Sequence, residues 1–207
     1  MKDNGDRFPL LLYRRAIARH RLKALALTAL FLGLWYLIRQ GITDWPPPPA
    51  DVWALAGSLV TSTYALFTLV APRFAYVQPR RNHLHLQTPF FRLHVSYRRM
   101  LGTRPVDLAR AYPPRSMGRA DRRLVAPFYA HSAVGIELKE LPLPRFILRL
   151  FLGRYFLTPD QTGLLLVVDQ WMTFSQQVAV RLDALRQARQ ERPRRPGPDA
   201  GRLLETG

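Results

Sequence analysis

The chain lacks cysteine altogether, which excludes a disulfide framework, a thiolate zinc site and a cysteine nucleophile. Acidic residues are few, 14 among 207, so a pair of carboxylates for acid–base catalysis is hard to assemble. The sequence also lacks a glycine-rich phosphate loop, a serine nucleophile elbow and a metalloprotease helix motif. These absences predict a protein that is not an enzyme, with no catalytic residues and no cofactor.

Two long uncharged apolar runs occupy much of the first third of the chain. The first covers residues 24–38 and reaches 22–42 with its flanks, and the second covers residues 52–71. About 20 apolar residues suffice to cross a bilayer, so we predict transmembrane helices over residues 22–42 and 52–72, joined by a proline-rich loop over 43–51. Two buried helices of a soluble protein are the alternative. No small-residue cleavage site follows the first run, which favours a retained anchor over a signal peptide.

The basic residues around these runs predict the orientation. The connecting loop contains no Lys or Arg, whereas the segment before the first run is rich in both. Its basic residues are Lys2, Arg7, Arg14, Arg15, Arg19, Arg21 and Lys23. By the positive-inside rule, we expect a multi-pass protein of the bacterial inner membrane with both termini in the cytoplasm, the loop outside, and residues 1–21 as a basic cytoplasmic segment.

The remaining chain predicts a basic domain over residues 73–190. A strand over residues 74–78 leaves the second span, and residues 83–97 alternate in polarity as a β-hairpin does. A turn over residues 88–91 pairs Leu86 with Leu93 and His85 with His94. The apolar face of this hairpin then holds Leu84, Leu86, Leu93, Val95 and Tyr97. The polar face holds His83, His85, Gln87, Arg92, His94 and Ser96.

The rest of the domain has weaker patterns, except near its end. Residues 100–130, rich in arginine and proline, predict loops with a short helix near 105–111. The later elements are a strand over 133–138, a short helix or a strand pair over 141–157, a buried strand over 164–168, an amphipathic helix over 170–190 capped by Asp169, and a disordered tail over 191–207.

This layout resembles the bacterial PH-like membrane proteins. The matching segments are FAYVQ (74–78), LHLQTPFFRLHVSY (84–97), YFLTPDQTGLLLVV (155–168) and WMTFSQQVAVRLDAL (171–185). The resemblance implies a membrane α-hairpin followed by an α+β domain, namely a partly open barrel of about seven antiparallel strands with a C-terminal helix. It also implies a non-enzymatic role. The insert over residues 100–130 departs from the family pattern.

Three histidines form the most specific cluster of chemical groups. His83 and His85 point the same way on one strand, and His94 lies beside them if the hairpin register is right. A His-x-His pair with a third histidine is a known zinc geometry. The alternative is a set of solvated polar residues, because no carboxylate or fourth histidine is fixed nearby.

The arginines of the domain predict contact with anionic lipid. The candidate residues are Arg98, Arg99, Arg122, Arg123, Arg145, Arg149 and Arg154. A segment that mixes Arg145, Arg149 and Arg154 with bulky apolar residues could lie in the membrane interface. A nucleic-acid surface is disfavoured because no recognition helix or aromatic stacking platform accompanies the charge. The remaining alternative is that the arginines serve only topology and solubility.

Together these features predict an integral inner-membrane protein whose cytoplasmic domain is a non-enzymatic lipid- or protein-binding scaffold. Its partners are expected to be anionic lipids of the inner leaflet and an unidentified protein, with a homo-oligomer left open. The alternative function is a metal-binding enzyme or sensor at the membrane that uses the three histidines.

Overall fold

The computed structural model describes residues 5–41, 49–159 and 162–191. Most of the predicted loop over 43–51, and all of the predicted tail except Glu191, lie outside these residues. The helices are α1 (Leu11–Ala18), α2 (Arg21–Arg39), α3 (Ala50–Val70), α4 (Leu108–Ala111), α5 (Arg119–Val125), α6 (Arg145–Leu152) and α7 (Trp171–Gln190). The strands are β1 (Phe8–Pro9), β2 (Tyr76–Pro79), β3 (His83–Gln87), β4 (Arg92–Ser96), β5 (Met100–Asp107), β6 (Ser132–Leu138) and β7 (Gly163–Leu166).

Helices α2 and α3 are the two apolar runs, and both are long and apolar enough to cross a membrane. At 1.5 Å per residue they span about 28 and 32 Å, close to the roughly 30 Å of a hydrocarbon core. The most apolar stretch of the helical segment Leu11–Arg39, which contains α2, is only 6% buried. The corresponding stretch of Ala50–Phe74, which contains α3, is 28% buried. Buried core helices of a soluble protein would show far larger buried shares.

The two long helices pack closely where α3 presents small residues. Ala54 and Ser58 of α3 are each 3% exposed. A Cβ added at Gly57 would lie 2.9 Å from ring atoms of Phe31, so only glycine allows this approach. Small residues on α3 thus allow the close helix–helix packing that is common between membrane helices. Helix α3 begins at Ala50, so Asp51 lies within its first turn, and no side chain among the described residues caps the helix start.

A side-chain hydrogen bond joins the adjoining ends of α2 and α3. Pro72 has no N–H group to donate to the carbonyl four residues before it, that of Thr68. The Arg21 Nε donates to this oxygen at 3.2 Å. The start of α2 and the end of α3 therefore lie at the same end of the helical hairpin.

The first sheet has the strand order β1-β2-β3-β4, and all its strands are antiparallel. The predicted hairpin is confirmed, with Leu86 opposite Leu93 and His85 opposite His94. In the turn, the Thr88 N–H donates to the Phe91 carbonyl at 2.8 Å. The apolar face predicted for this hairpin is buried throughout.

The second sheet has the order β5-β6-β7 and corrects the prediction for residues 100–130. Residues 100–107 form a strand instead of a loop, paired along its length with β6. Pro105 argues against a strand in the sequence, because proline has no N–H group to donate. Within the described sheet, however, β5 is an edge strand, where a missing N–H group is tolerated. The short helix α4 follows, and the Asp107 carboxylate accepts a hydrogen bond from the Ala109 N–H at 2.8 Å.

The two sheets and α7 enclose one hydrophobic core. Leu10 and Val168 form an antiparallel bridge where the sheets meet, and the Leu11 N–H donates to the Val167 carbonyl at 3.1 Å. Helix α7 buries Phe174, Val178 and Leu182 against this core, as the periodicity predicted. The strands of the described residues form two joined antiparallel sheets and not a closed barrel.

Two local expectations near α6 and α7 are resolved. The segment 141–157, left open between a helix and a strand pair, contains α6 and a short 3₁₀ turn over Arg154–Phe156. Asp169 does not cap α7, because Gln170 occupies the capping position and no side chain caps this helix start.

The segment before α2 belongs to the same core as the residues that follow α3. Strand β1 pairs with β2, and Phe8, Leu10 and Leu12 are at most 3% exposed. Nothing in the sequence pattern indicated this, since residues 1–21 stood out only by their charge. The helical hairpin α2–α3 is therefore inserted between the first and second strands of the domain.

Candidate functional site

An apolar and basic surface lies beside the end of α3, and we call it the junction face. It comprises Phe90 in the β3–β4 turn together with Phe146, Leu150 and Phe151 of α6. Phe90, Phe146 and Leu150 are 68%, 70% and 75% exposed, which is unusual for side chains of this size. Helix α6 buries Leu148 and Leu152 on its other side, so its exposed apolar residues are not required to fill the core.

Ring contacts fix the junction face against the second long helix. Phe90 lies 5.0 Å from Phe67 of α3, measured between ring centroids. Phe91 stacks on Phe151 of α6 at 5.1 Å with an interplanar angle of 11°. The β3–β4 turn therefore links α6 to the last turns of α3.

A cavity of about 670 Å³ opens between the junction face and the helices α1 and α3. Phe90, Leu150 and Phe151 line it together with Tyr64 of α3. Tyr64 lies six residues before the end of α3, which corresponds to about 9 Å along the helix axis. Interfacial helices insert their apolar sides about 5–10 Å into the headgroup and acyl boundary, so the junction face lies at the matching depth if α3 spans a bilayer.

The structure brings three of the seven predicted arginines to this region. Arg145 and Arg149 lie one turn apart on α6, and both are exposed. Arg154 also lines the cavity, and its guanidinium lies 3.7 Å from the Asp121 carboxylate. Positive charge thus borders the exposed apolar residues, as expected of a helix at an anionic interface.

The other four predicted arginines lie elsewhere. Arg98 and Arg99 follow β4, at the end of the sheet away from the β3–β4 turn, and Arg98 lies near Arg189 of α7. Arg122 donates two hydrogen bonds to the Pro114 carbonyl, at 3.1 and 2.7 Å, and so helps to fold the insert. Arg123 is exposed on α5. The seven residues do not form one surface.

The three predicted histidines do come together, on the outer face of the first sheet. The ring centroids of His83 and His85 lie 4.8 and 4.7 Å from that of His94. One ring nitrogen from each residue lies within 4.8 Å of the others. We call these residues the histidine cluster.

His85 is buried rather than exposed as its face predicted, with 4% of its surface accessible. The rings of His83, His94 and Tyr76 lie against it, and the Gln87 Oε1 is 3.2 Å from its Nε2. The Tyr76 hydroxyl donates to the same amide oxygen at 2.7 Å. Burial lowers the pKa of His85 and of His83, and the positive charge of Arg80 lowers both further, although the hydrogen bond with Gln87 partly offsets the shift for His85. The shifts favour the neutral form of these two rings.

Two nitrogens of the cluster are buried without a hydrogen-bond partner among the residues that the structure describes. They are the Nε2 of His83 and the Nδ1 of His85. The neighbouring Gln78 Oε1 and Arg80 Nε are also buried and unpaired within that part of the chain. An unsatisfied buried polar group typically costs about 1–3 kcal/mol, so this concentration on one sheet face is unusual.

No known protein family, curated protein or solved structure matches the chain. The resemblance to PH-like membrane proteins therefore depends on layout alone. The function has to be inferred from the junction face and the histidine cluster.

The sequence patterns missed most of the junction face. Phe90 and Phe91 stood out only as turn residues, although two adjacent aromatic residues in a tight turn are a signal for a surface anchor. The apolar residues of α6 were noted with their arginines, but their position beside α3 depends on the path of the whole sheet.

Proposed function

We propose that the protein is a two-span bacterial inner-membrane protein whose cytoplasmic PH-like domain lies on the anionic inner leaflet through the junction face, as a non-enzymatic lipid-binding module. The observation that carries this proposal is the shared cavity, which Phe90 and Leu150 of the domain line together with Tyr64 of α3. If α3 spans the bilayer, these exposed side chains are in lipid.

The physical driving force combines apolar insertion with charge. Removing a Leu or Phe side chain from water contributes about 1.5–3 kcal/mol when burial is complete, and less at an interface. Each arginine near an anionic surface adds about 1 kcal/mol. The summed contributions of Phe90, Phe146, Leu150 and the two arginines of α6 favour a domain that lies against the headgroups. They disfavour a domain that moves freely on the two chain segments that join it to α2 and α3.

The proposed orientation places both termini in the cytoplasm. It is supported by the basic segment before α2 and by the absence of Lys and Arg from the connecting loop. The same orientation exposes the arginines to the leaflet that is rich in anionic lipid. Binding of a protein partner by the domain stays a prediction that no observation favours over lipid contact.

The depth of the junction face can be measured directly, because the cysteine-free chain accepts single spin labels without background. We would place labels at Leu150→Cys and, as a control, at Val180→Cys, which lies on α7 and is 68% exposed. The full chain is reconstituted in nanodiscs that contain anionic phosphatidylglycerol. Oxygen should relax the Leu150 label more than a water-soluble nickel complex does, and the Val180 label should show the reverse. Equal exposure of both labels to the nickel complex would refute the proposal.

The contribution of charge is tested with two matched pairs of substitutions. Arg145→Gln with Arg149→Gln removes the two cations of α6, whereas Arg98→Gln with Arg99→Gln removes an equal charge at the far end of the sheet. We expect the Leu150 label to lie deeper in phosphatidylglycerol than in phosphatidylcholine, and only the α6 pair should abolish this difference. A label depth that is independent of lipid charge in the unsubstituted chain would exclude the arginine mechanism.

Orientation is tested in intact bacteria with the Val180→Cys variant. A membrane-impermeant maleimide should label this residue only after the cells are permeabilised. Labelling in intact cells would place the domain outside and contradict the proposed contact with the inner leaflet.

A further inference from the structure

We propose that the histidine cluster binds one first-row transition metal ion, with Zn²⁺ as the expected occupant, through one ring nitrogen each of His83, His85 and His94. This site is distinct from the junction face and shares no residue with it. The two proposals can therefore succeed or fail independently.

The strand geometry supplies the arrangement that such an ion requires. Residues 83 and 85 alternate along β3 and share a face, and His94 lies directly opposite His85 on β4. The three ring nitrogens lie within 4.8 Å of one another. Tetrahedral zinc with Zn–N bonds of about 2.0–2.1 Å needs nitrogens roughly 3.4 Å apart. Closing the remaining gap takes small side-chain rotations of His83 and His94, both of which have exposed surface.

The hydrogen bonds around His85 leave the correct nitrogen available. The Gln87 amide oxygen can only accept, so the Nε2 of His85 carries the proton of the neutral ring. The lone pair is then on Nδ1, which is buried and has no partner within the described residues. A ligating histidine commonly donates its other N–H to a fixed acceptor in this way, and Tyr76 fixes that acceptor in turn.

The donor set selects the class of metal. Three imidazole ligands suit Zn²⁺, Cu²⁺, Ni²⁺ or Co²⁺, whereas Ca²⁺ and Mg²⁺ require oxygen ligands. Three protein ligands leave a coordination position open for water or another small ligand. Arg80 contributes a positive charge close to His83 and His85, which favours an anion such as hydroxide at that position.

The chain itself offers a matched control for the binding experiment. It contains five histidines, and His131 is exposed and lies outside the cluster. The full chain is purified in detergent with a tag that contains no histidine, stripped with a chelator, and titrated with Zn²⁺ in a calorimeter. Co²⁺ is added separately, because its visible absorption reports the coordination geometry. His83→Gln, His94→Gln and His131→Gln are measured in parallel.

We expect one Zn²⁺ per chain and a tetrahedral Co²⁺ spectrum for the unsubstituted protein and for His131→Gln. His83→Gln and His94→Gln should each weaken binding by at least tenfold, since even residues that merely support ligands contribute about 10–100-fold. Near-UV circular dichroism checks that these variants remain folded. Absence of a stoichiometric site in the unsubstituted chain would refute the proposal without reference to any variant. Equal loss of affinity in His131→Gln would refute it as well.

Discussion

Truncation of Phe8 to alanine tests whether the segment before α2 is part of the domain. Phe8 is 3% exposed and lies in β1, opposite Val77 of β2. Its ring meets that of Phe174 edge to face at 5.2 Å. The side chain thus joins the N-terminal segment, the first sheet and α7 in one contact.

The expected cost follows from burial. A buried Phe→Ala substitution removes the transfer free energy of the ring and leaves a cavity, which together amount to about 3–5 kcal/mol. The edge-to-face contact with Phe174 is included in this figure. Each 1.4 kcal/mol is a tenfold change in an equilibrium constant, so the open state of the domain should become at least a hundredfold more populated.

Hydrogen exchange followed by mass spectrometry measures this change on the full chain in nanodiscs. We expect peptides that cover β2 and the first half of α7 to exchange about two orders of magnitude faster in Phe8→Ala, while peptides of α2 and α3 are unchanged. Met172→Ala is the control, because Met172 lies on the same helix α7 but is 60% exposed. Unchanged protection of β2 in Phe8→Ala would refute the assignment of β1 to the domain.

Three further predictions concern the helical hairpin, a buried tyrosine and the histidine cluster. Gly57→Ile should destabilise the packing of α2 on α3 by about 1–3 kcal/mol, because the new side chain overlaps Phe31. Gly33 has open space around it, so Gly33→Ile should not destabilise this packing. Thermal unfolding in detergent compares the two variants. Burial raises the pKa of Tyr97 to about 12. The contribution of Tyr97 to the free energy of unfolding, complete below pH 10, should therefore be lost as the pH rises from 10 toward 12, and Tyr97→Phe should flatten this decline in a series of unfolding measurements. An unchanged slope would contradict the assignment. Arg80→Gln should tighten Zn²⁺ binding in the calorimeter by removing a positive charge near the cluster, and weaker binding would contradict the proposed site.

The β-hairpin with the histidines could be predicted in detail because its information is local. Strict alternation places every apolar residue on one face, and a shift of register by one residue would expose them all. Periodicity likewise predicted the buried face of α7, and the length of the uncharged apolar runs predicted the two long helices. The histidine cluster followed from the same alternation, because residues on one face of paired strands must be neighbours.

Strand β5 and the N-terminal segment could not be predicted in the same way. β5 contains Pro105 and alternates poorly, and it is a strand because β6 pairs with it. β1 is only two residues long and is separated from β2 by the whole helical hairpin. Tertiary pairing overrides local propensity at such edges. A fragment of residues 73–190 would accordingly lack part of its own core.

The order of the apolar runs, their lengths and the apolar face of the β3–β4 hairpin were determined by the sequence, because these properties depend only on residue spacing. At the two candidate sites, one feature of each depended on the tertiary structure, as did β1 and β5 in the fold. One is the junction face, where the β3–β4 turn and α6 converge on the end of α3 from three separate parts of the chain. The other is the burial of His85, which becomes a protected ligand only when Tyr76, His83 and His94 pack around it. Segments that are distant in the sequence come together only when the whole hydrophobic core has formed, and no local sequence pattern encodes that convergence.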